Sequence, residues 1–327
     1  MNHPSNEHSS QSLDENGEKN KNLVVDAYRW SHYVEMAKGL GFTALGAAKA
    51  EKVDRAGILR EWVEEGCHAD MHWFARGLEK RLDPALVMED AASIFILTTP
   101  YNKEPVTVGG KKLARYACGE DYHDVLIKPL RQLCEEMARE FPGANLRAYV
   151  DTGPVLERYW AEKAGLGWIG KNGNLINRKA GSYLFLASIV TNLTVPYGQP
   201  HANFCGSCTA CLDACPTGAF VSDGIVDSRK CISYLNIEHR GPFQDAPNFA
   251  DWIFGCDICQ EVCPWPGKFS GDPLFEQFLP RPQYEAVDEV ALAAMDQETF
   301  SATFRKSPVK RTKRAGIQRN LTHLQQG

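Results

Sequence analysis

Four cysteines within eleven residues, Cys205-x2-Cys208-x2-Cys211-x3-Cys215-Pro216, constrain this chain more than any other feature. The spacing is that of bacterial ferredoxins. There three close thiolates hold one face of a [4Fe–4S] cubane and the fourth points away to a second cluster. The end of the same pattern recurs as Cys256-x2-Cys259-x3-Cys263-Pro264, one ligand short. Cys231, isolated in DSRKCISYL, can supply it. The expected ligation is crossed: Cys205, Cys208, Cys211 and Cys263 hold one cluster, and Cys215, Cys231, Cys256 and Cys259 hold the other. Four-cysteine zinc sites also use C-x2-C pairs. They do not usually need an x2-x2-x3 run closed by Cys-Pro and then a second Cys-Pro. Cys67, Cys118 and Cys134 have no ligand spacing and read as ordinary thiols.

Disulfides are rare in a reducing compartment, so clustered cysteines there bind metal or do redox chemistry. The N-terminal MNHPSNEHSSQSLDENGEKNKN is polar and lacks the apolar core of a secretory signal. No stretch reaches the roughly 18–20 apolar residues that span a bilayer. The longest apolar run, Tyr183–Val190, reads as a buried strand. The expected location is therefore cytoplasmic, with no membrane partner. Hydrophobic content of 43% and charged content of 24% suit a soluble globular chain. A net charge of −5 argues against wholesale nucleic-acid coating but leaves room for a local basic patch. One exists: Arg305, Lys306, Lys310, Arg311, Lys313, Arg314 and Arg319 put seven cations in fifteen residues. Such a patch can neutralise RNA phosphates; a solvated terminal helix is the plainer alternative.

Residues 1–22 have the composition of a disordered tail. Helical spacing covers Val24–Leu40 and Val125–Met137, and Tyr159–Ala164 resembles a helix. Strands are expected at Phe42–Ala47, Ile94–Thr98, Leu146–Val150 and Tyr183–Val190. This alternation predicts an α/β or α+β domain over residues 23–200. A ferredoxin-like domain over 201–280 and a basic C-terminal segment over 281–327 follow. Gly165-x-Gly167-x-x-Gly170 follows a helix rather than a strand, so NAD is not supported. Asp121-Tyr-His123 begins a D-x-H-x-x-G corrinoid signature, but Leu126 stands where glycine is needed. His123 then reads as a helix-surface or turn histidine.

Several segments in order resemble the epoxyqueuosine reductases, iron–sulfur and cobalamin enzymes that complete queuosine in tRNA. They are Glu79-Lys-Arg-Leu-Asp-Pro84, Ala114-Arg-Tyr-Ala117, Gly119-x-Asp-Tyr-His-Asp124, Val150-Asp-Thr-Gly-Pro154 and Ala161-Glu162. Gly165-x-Gly167-x-x-Gly-Lys-Asn172 and Gly181-Ser-Tyr183 continue the series. CGSCTACLDACPTGA, KCISYLNIEHRG and GCDICQEVCPW complete it, over about residues 25–320. Pro266 departs from the asparagine usual after that last motif.

The resemblance implies a cobalamin-binding reductase domain, of reductive-dehalogenase type, joined to a domain with two [4Fe–4S] clusters. It implies reduction of epoxyqueuosine at the wobble position of GUN-anticodon tRNAs (Asp, Asn, His and Tyr). Electrons would come from an external donor, and the enzyme would be a monomer. Asp151 matches the family's proton donor and a cobalamin contact. At the end of an apolar strand, burial is expected to raise its pKa toward the working pH; a helix cap or Asx-turn is the alternative. Arg81 matches a cobalamin contact, against a surface salt bridge with Glu79 or Asp83. Ala114, Leu175 and Leu186 align with further cobalamin contacts, against plain core roles. Asp257 is a candidate contact between cluster and corrinoid. Trp168 and Trp265 are possible stacking platforms for anticodon bases, or core. Two other readings compete. A ferredoxin-like carrier serving a partner enzyme leaves the first domain unexplained. A corrinoid reductive dehalogenase usually carries an export signal and has no use for a basic segment.

Overall fold

The computed structural model describes residues 23–101 and 103–326; the tail expected over 1–22 lies outside them. Strands β1 (Ala44–Lys49), β2 (Ser93–Pro100), β5 (Leu146–Tyr149) and β8 (Leu184–Thr191) form the central sheet in the order β1-β2-β8-β5. Every neighbour is antiparallel. Helices α1 (Ala27–Gly39), α2 (Ala56–Glu64), α3 (His72–Arg76), α4 (Leu78–Leu82), α5 (Tyr122–Glu140) and α6 (Glu157–Lys163) cover it.

All eight residues of β2 are buried. Successive strand side chains point to opposite faces. Phe95 and Leu97 pack with Tyr33 and Ala37 of α1 and with Leu126, Leu130, Leu133 and Met137 of α5. Ile94 and Ile96 pack with Leu78 and Leu82 of α4 and with Tyr159, Trp160 and Ala161 of α6. The unbroken apolar run in β2 thus reflects two covered faces, not a parallel sheet. The alternation of helix and strand resolves to the α+β case. Asp26 caps α1 by accepting the Arg29 N–H at 2.9 Å. Asp121 caps α5 by accepting the His123 N–H at 3.1 Å, which fixes where Tyr122 and His123 point.

A second sheet joins the two halves of the sequence. Strands β3 (Val106–Val108) and β4 (Lys111–Leu113) form a hairpin. Two short ribbons, β6 (Trp168–Ile169) with β7 (Leu175–Ile176) and β9 (Phe220–Ser222) with β10 (Ile225–Val226), lie between. Strand β11 (Trp252–Phe254) comes from the cysteine-rich segment and pairs parallel to β4. The Ala114 N–H donates to the Phe254 carbonyl at 2.9 Å. Gly255 follows with φ +70°, and a Cβ there would lie 2.4 Å from Ala114 Cβ. Only glycine allows that approach at that dihedral.

The cysteine-rich segment adds four short helices, α7 (Ala210–Asp213), α8 (Ile232–Ile237), α9 (Ile258–Glu261) and α10 (Pro264–Phe269). Helices α11 (Glu289–Ala294), α12 (Gln297–Thr303) and α13 (Lys313–Gln326) close over the second sheet. Phe300, Phe304, Val309, Ile317 and Leu321 pack with Val108, Leu113, Ile253 and Phe254. The basic segment is thus also structural. Arg319 turns inward over the Phe243 ring at 4.4 Å and donates to the Leu235 and His239 carbonyls. Arg314 donates to the Met295 carbonyl. Arg305, Lys306, Lys310, Arg311 and Lys313 remain exposed. Among the described residues no helix is long and apolar enough to cross a membrane.

Candidate active site

The eight candidate cluster thiols are unpaired and gather in two groups. Cys205, Cys208, Cys211 and Cys263 line one cavity. Burial pushes the Cys211 thiol up, and the thiols of Cys263, Cys205 and Cys208 add to the shift. Burial likewise pushes Cys256 up to about 12, with Cys231 and Cys215 adding their charge. Cys259 rises through burial and then Cys256 and Cys231. Cys263 therefore sits with the first run and Cys215 with the second. Cys259 also senses Cys211, so the two groups adjoin. Buried thiols that resist ionisation become a favourable set once cationic iron displaces their protons. At Cys215 burial is already outweighed by hydrogen bonds from Thr217 and the Ala219 N–H, which hold the thiol down. Among the described residues, no three His, Cys, Asp or Glu side chains converge on one ion. The first group surrounds a cavity, as a polynuclear cluster requires.

Asp151 follows β5 with φ +58°, a left-handed conformation uncommon outside glycine. Its N–H donates to Glu157 Oε1 at 3.1 Å, and the Ser188 hydroxyl donates to the same oxygen at 3.1 Å. The Asp151 carboxylate accepts the Tyr122 hydroxyl at 2.9 Å and faces His123 Nε2 at 3.4 Å. His123 Nδ1 lies 2.6 Å from Asp121 Oδ1. The helix-cap alternative fails, because Leu156 occupies the cap position of α6. The Asp151 side chain is 62% exposed, yet burial remains the largest single influence on its proton affinity. The carboxylate is thus open to solvent on one side and held by Tyr122 and His123 on the other.

The direction of the Asp151 pKa shift corrects the sequence expectation. Burial pushes the carboxyl up, but hydrogen bonds from His123 and Tyr122, with the charges of His123 and Arg158, outweigh it. The group is held below the usual carboxylate range. Protons reside beside it instead. Burial pulls His123 down, but Asp121 and Asp151 bring it up to about 9. Burial, reinforced by the Asp151 charge, pushes Glu157 up to about 8.

Arg81 is buried on α4, with its guanidinium over the Phe74 ring at 4.9 Å and the Trp73 ring at 5.4 Å. Glu79 pairs with Arg60 and Asp83 with Lys52, so neither acid holds Arg81. Burial depresses the guanidinium and the Asp151 charge offsets this, which sets Arg81 within electrostatic reach of the cleft. Arg158, exposed, donates to the Gly173 carbonyl at 2.6 Å and also senses Asp151.

Ala114 packs against Gly255, one residue before Cys256. Asp257 is 2% exposed and accepts the Arg115 N–H at 2.8 Å and its Nη1 at 3.2 Å. Leu175 and the half-buried Leu186 pack into the core beside Ile94 and Ile96. Trp168 is fully buried, which excludes it as a stacking platform. Trp265 is half-buried with its ring centroid 4.9 Å from that of Trp168.

Tyr122, Glu157, Arg158 and the contact between His123 and Asp151 were not visible as functional in the sequence. The signal for the first lay in DYH, where a helix cap is followed at once by two proton-bearing rings. For the others it lay in the Glu-Arg pair just after the Asp151 turn. The basic segment borders the same cleft. The Asp121 N–H donates to the Lys306 carbonyl at 2.7 Å. Arg311, paired with Glu238 at 2.9 Å, senses the Asp151 charge.

Residues 81–152 match the family model described as epoxyqueuosine reductase QueG, DUF1730. Residues 204–266 match the 4Fe-4S double cluster binding domain. The epoxyqueuosine reductase of Cellulophaga algicola is 41% identical over 292 residues, which cover 87% of this chain and 94% of that protein. A crystal structure of epoxyqueuosine reductase with an epoxyqueuosine-modified tRNA-Tyr stem loop superposes with a TM-score of 0.80 at 29% identity. It covers 90% of this chain and 80% of that one. The Bacillus subtilis enzyme, with its catalytic aspartate loop swung out of the active site, gives 0.78 at 28% identity, covering 90% and 80%. The chain, with its double [4Fe–4S] domain, belongs to the epoxyqueuosine reductase family of oxidoreductases.

Proposed function

We propose that this chain reduces epoxyqueuosine to queuosine at wobble position 34 of GUN-anticodon tRNAs. Electrons would pass from an external donor through two [4Fe–4S] clusters to a cobalamin, and Asp151 would deliver protons. One observation carries this reading: Asp151 is an exposed carboxylate whose charge reaches two walls of different chemistry, at Tyr116 and at Arg311. One wall reaches the thiols of the second cluster through Ala114, Gly255 and Cys256. The other is the exposed basic segment, tied to the site through the Lys306 carbonyl.

The residues present suit a broad cofactor with an amide rim. Arg81 offers guanidinium N–H groups beyond the one donated to Gly77. Leu175 and Leu186 would give an apolar backing, and Ala114 would permit close approach. Asp257 would fix that wall through Arg115. When bound, the clusters and cobalamin supply the electrons and break the carbon–oxygen bond.

The polypeptide supplies protons and orientation. Reductive removal of an epoxide oxygen as water takes two electrons and two protons. His123, pushed up to about 9, holds one proton at neutral pH and faces Asp151. Asp151 would pass that proton to the substrate oxygen when the occupied cleft excludes water. Glu157 holds a second proton behind the loop. The swung-out loop of the Bacillus subtilis enzyme supports a mobile carrier at this position. The exposed cations Lys306, Lys310, Arg311 and Lys313 would attract the phosphates of an anticodon stem loop, and a monomer leaves that approach open.

The test is anaerobic reconstitution with iron, sulfide and cobalamin, followed by nucleoside mass spectrometry of epoxyqueuosine-containing tRNA. Queuosine should accumulate with a low-potential reductant. Full cofactor occupancy without queuosine would end the proposal.

A further inference from the structure

Among the described residues four buried side-chain polar atoms have no hydrogen-bond partner, and two of them are indole nitrogens, those of Trp168 and Trp252. The side chains are 0% and 2% exposed. An indole N–H can only donate, and buried donors in folded proteins are rarely left unpaired. Two such orphans call for acceptors that the polypeptide itself does not provide.

Their positions indicate where those acceptors lie. Trp168 is set in β6 by pairing with Ile176 of β7. Its ring meets Phe204 with centroids 5.2 Å apart and Trp265 at 4.9 Å, both edge-on. Ile176, Phe204 and Trp265 line the cavity bounded by Cys205, Cys208, Cys211 and Cys263. Trp252, in β11, belongs to an apolar cluster packed against Cys231 and Cys256, thiols of the other group. Trp168 therefore stands behind the aromatic wall of the first group's cavity, and Trp252 belongs to the apolar cluster against which two thiols of the second group pack.

We propose that each buried indole N–H donates a hydrogen bond to an inorganic sulfide of its neighbouring cluster, Trp168 to the cluster of the Cys205 run and Trp252 to that of Cys256. The inference rests on the two-cluster ligation and not on the identity of the substrate. A reduced cluster carries one more negative charge than an oxidised one, so a donor to its sulfur stabilises the reduced form more and raises the reduction potential. The rings also keep water from the sulfurs, a separate influence that phenylalanine largely preserves.

The experiment uses the full chain with both clusters reconstituted, in a redox titration followed by electron paramagnetic resonance. Trp168→Phe should lower the reduction equilibrium of one cluster five- to tenfold, roughly 40–60 mV for one electron, and leave the other unmoved. Trp252→Phe should do the converse. Wild-type protein labelled with 15N in its indoles should show 15N coupling to each reduced cluster. Unmoved midpoints in iron-replete variants would overturn the proposal, as would absence of the 15N coupling. If a variant fails to take up iron, the labelled wild-type spectrum decides alone.

Discussion

Replacing Glu157 by glutamine keeps the oxygen that accepts the Asp151 N–H and the Ser188 hydroxyl, and removes only the ionisation. The folded chain holds the Glu157 proton up to about pH 8, against an ordinary value of 4.5. As pH rises the unfolded chain releases this proton first. The stability that Glu157 contributes is therefore complete below about pH 4.5 and declines until about pH 8. A full shift of this size corresponds to a ceiling of ~5 kcal/mol at ~1.36 kcal/mol per pH unit. Glu157 is half-buried, so solvent screening reduces the change between pH 5 and pH 8 to about 2 kcal/mol. That corresponds to roughly 3 °C in Tm for a chain of this size. Thermal unfolding of wild type and Glu157→Gln at matched iron content is the assay. The variant should gain on wild type as pH rises, from near parity at pH 5 to a Tm about 3 °C higher at pH 8. Parallel curves across that range would refute the claim that the Asp151 loop rests on a protonated carboxyl.

Asp151→Asn should keep both clusters and lose roughly 10²–10⁴ in turnover; undiminished queuosine formation would remove Asp151 from the chemistry. Wild-type single-turnover rates should fall as pH rises through about 9, where His123 gives up its proton. His123→Gln should be slower and lack that limb, whereas an unchanged profile would show that the proton comes from elsewhere. Cys231→Ala should halve the iron bound per chain and leave one cluster signal, and full iron content would break the ligand partition. Gly255→Ala places a methyl 2.4 Å from Ala114 Cβ at φ +70°. It should destabilise the chain by ~1–3 kcal/mol, read as a fall in Tm at constant iron.

The clusters were legible because iron fixes ligand number and spacing within short stretches of chain. Elements were legible where periodicity and caps act locally. The helix expected over Val125–Met137 runs from Tyr122 to Glu140, and the strand at Ile94–Thr98 runs from Ser93 to Pro100. Strand direction was not, because a strand covered on both faces reads the same in either sheet type. Nor was the Asp151 pKa shift, whose sign depends on a histidine 28 residues away that the first turn of α5 delivers. Charge counting found the C-terminal cations but could not show that Arg314 and Arg319 serve carbonyls inside the fold.

Trp252 and Phe254 of β11 pair with partners 140 and 141 positions earlier in the chain. A contact that distant forms late and carries a large loop-closure cost. The sheet behind the catalytic wall therefore cannot be completed before the iron-binding segment has been synthesised and brought back. Return of the iron-binding segment and completion of that sheet become one folding event. A chain whose cysteine-rich segment failed to dock would leave β4 without its β11 partner and Ala114 without the Phe254 carbonyl. For the same reason the cysteine-rich segment is not a cassette that recombination could cut out and splice onto another enzyme.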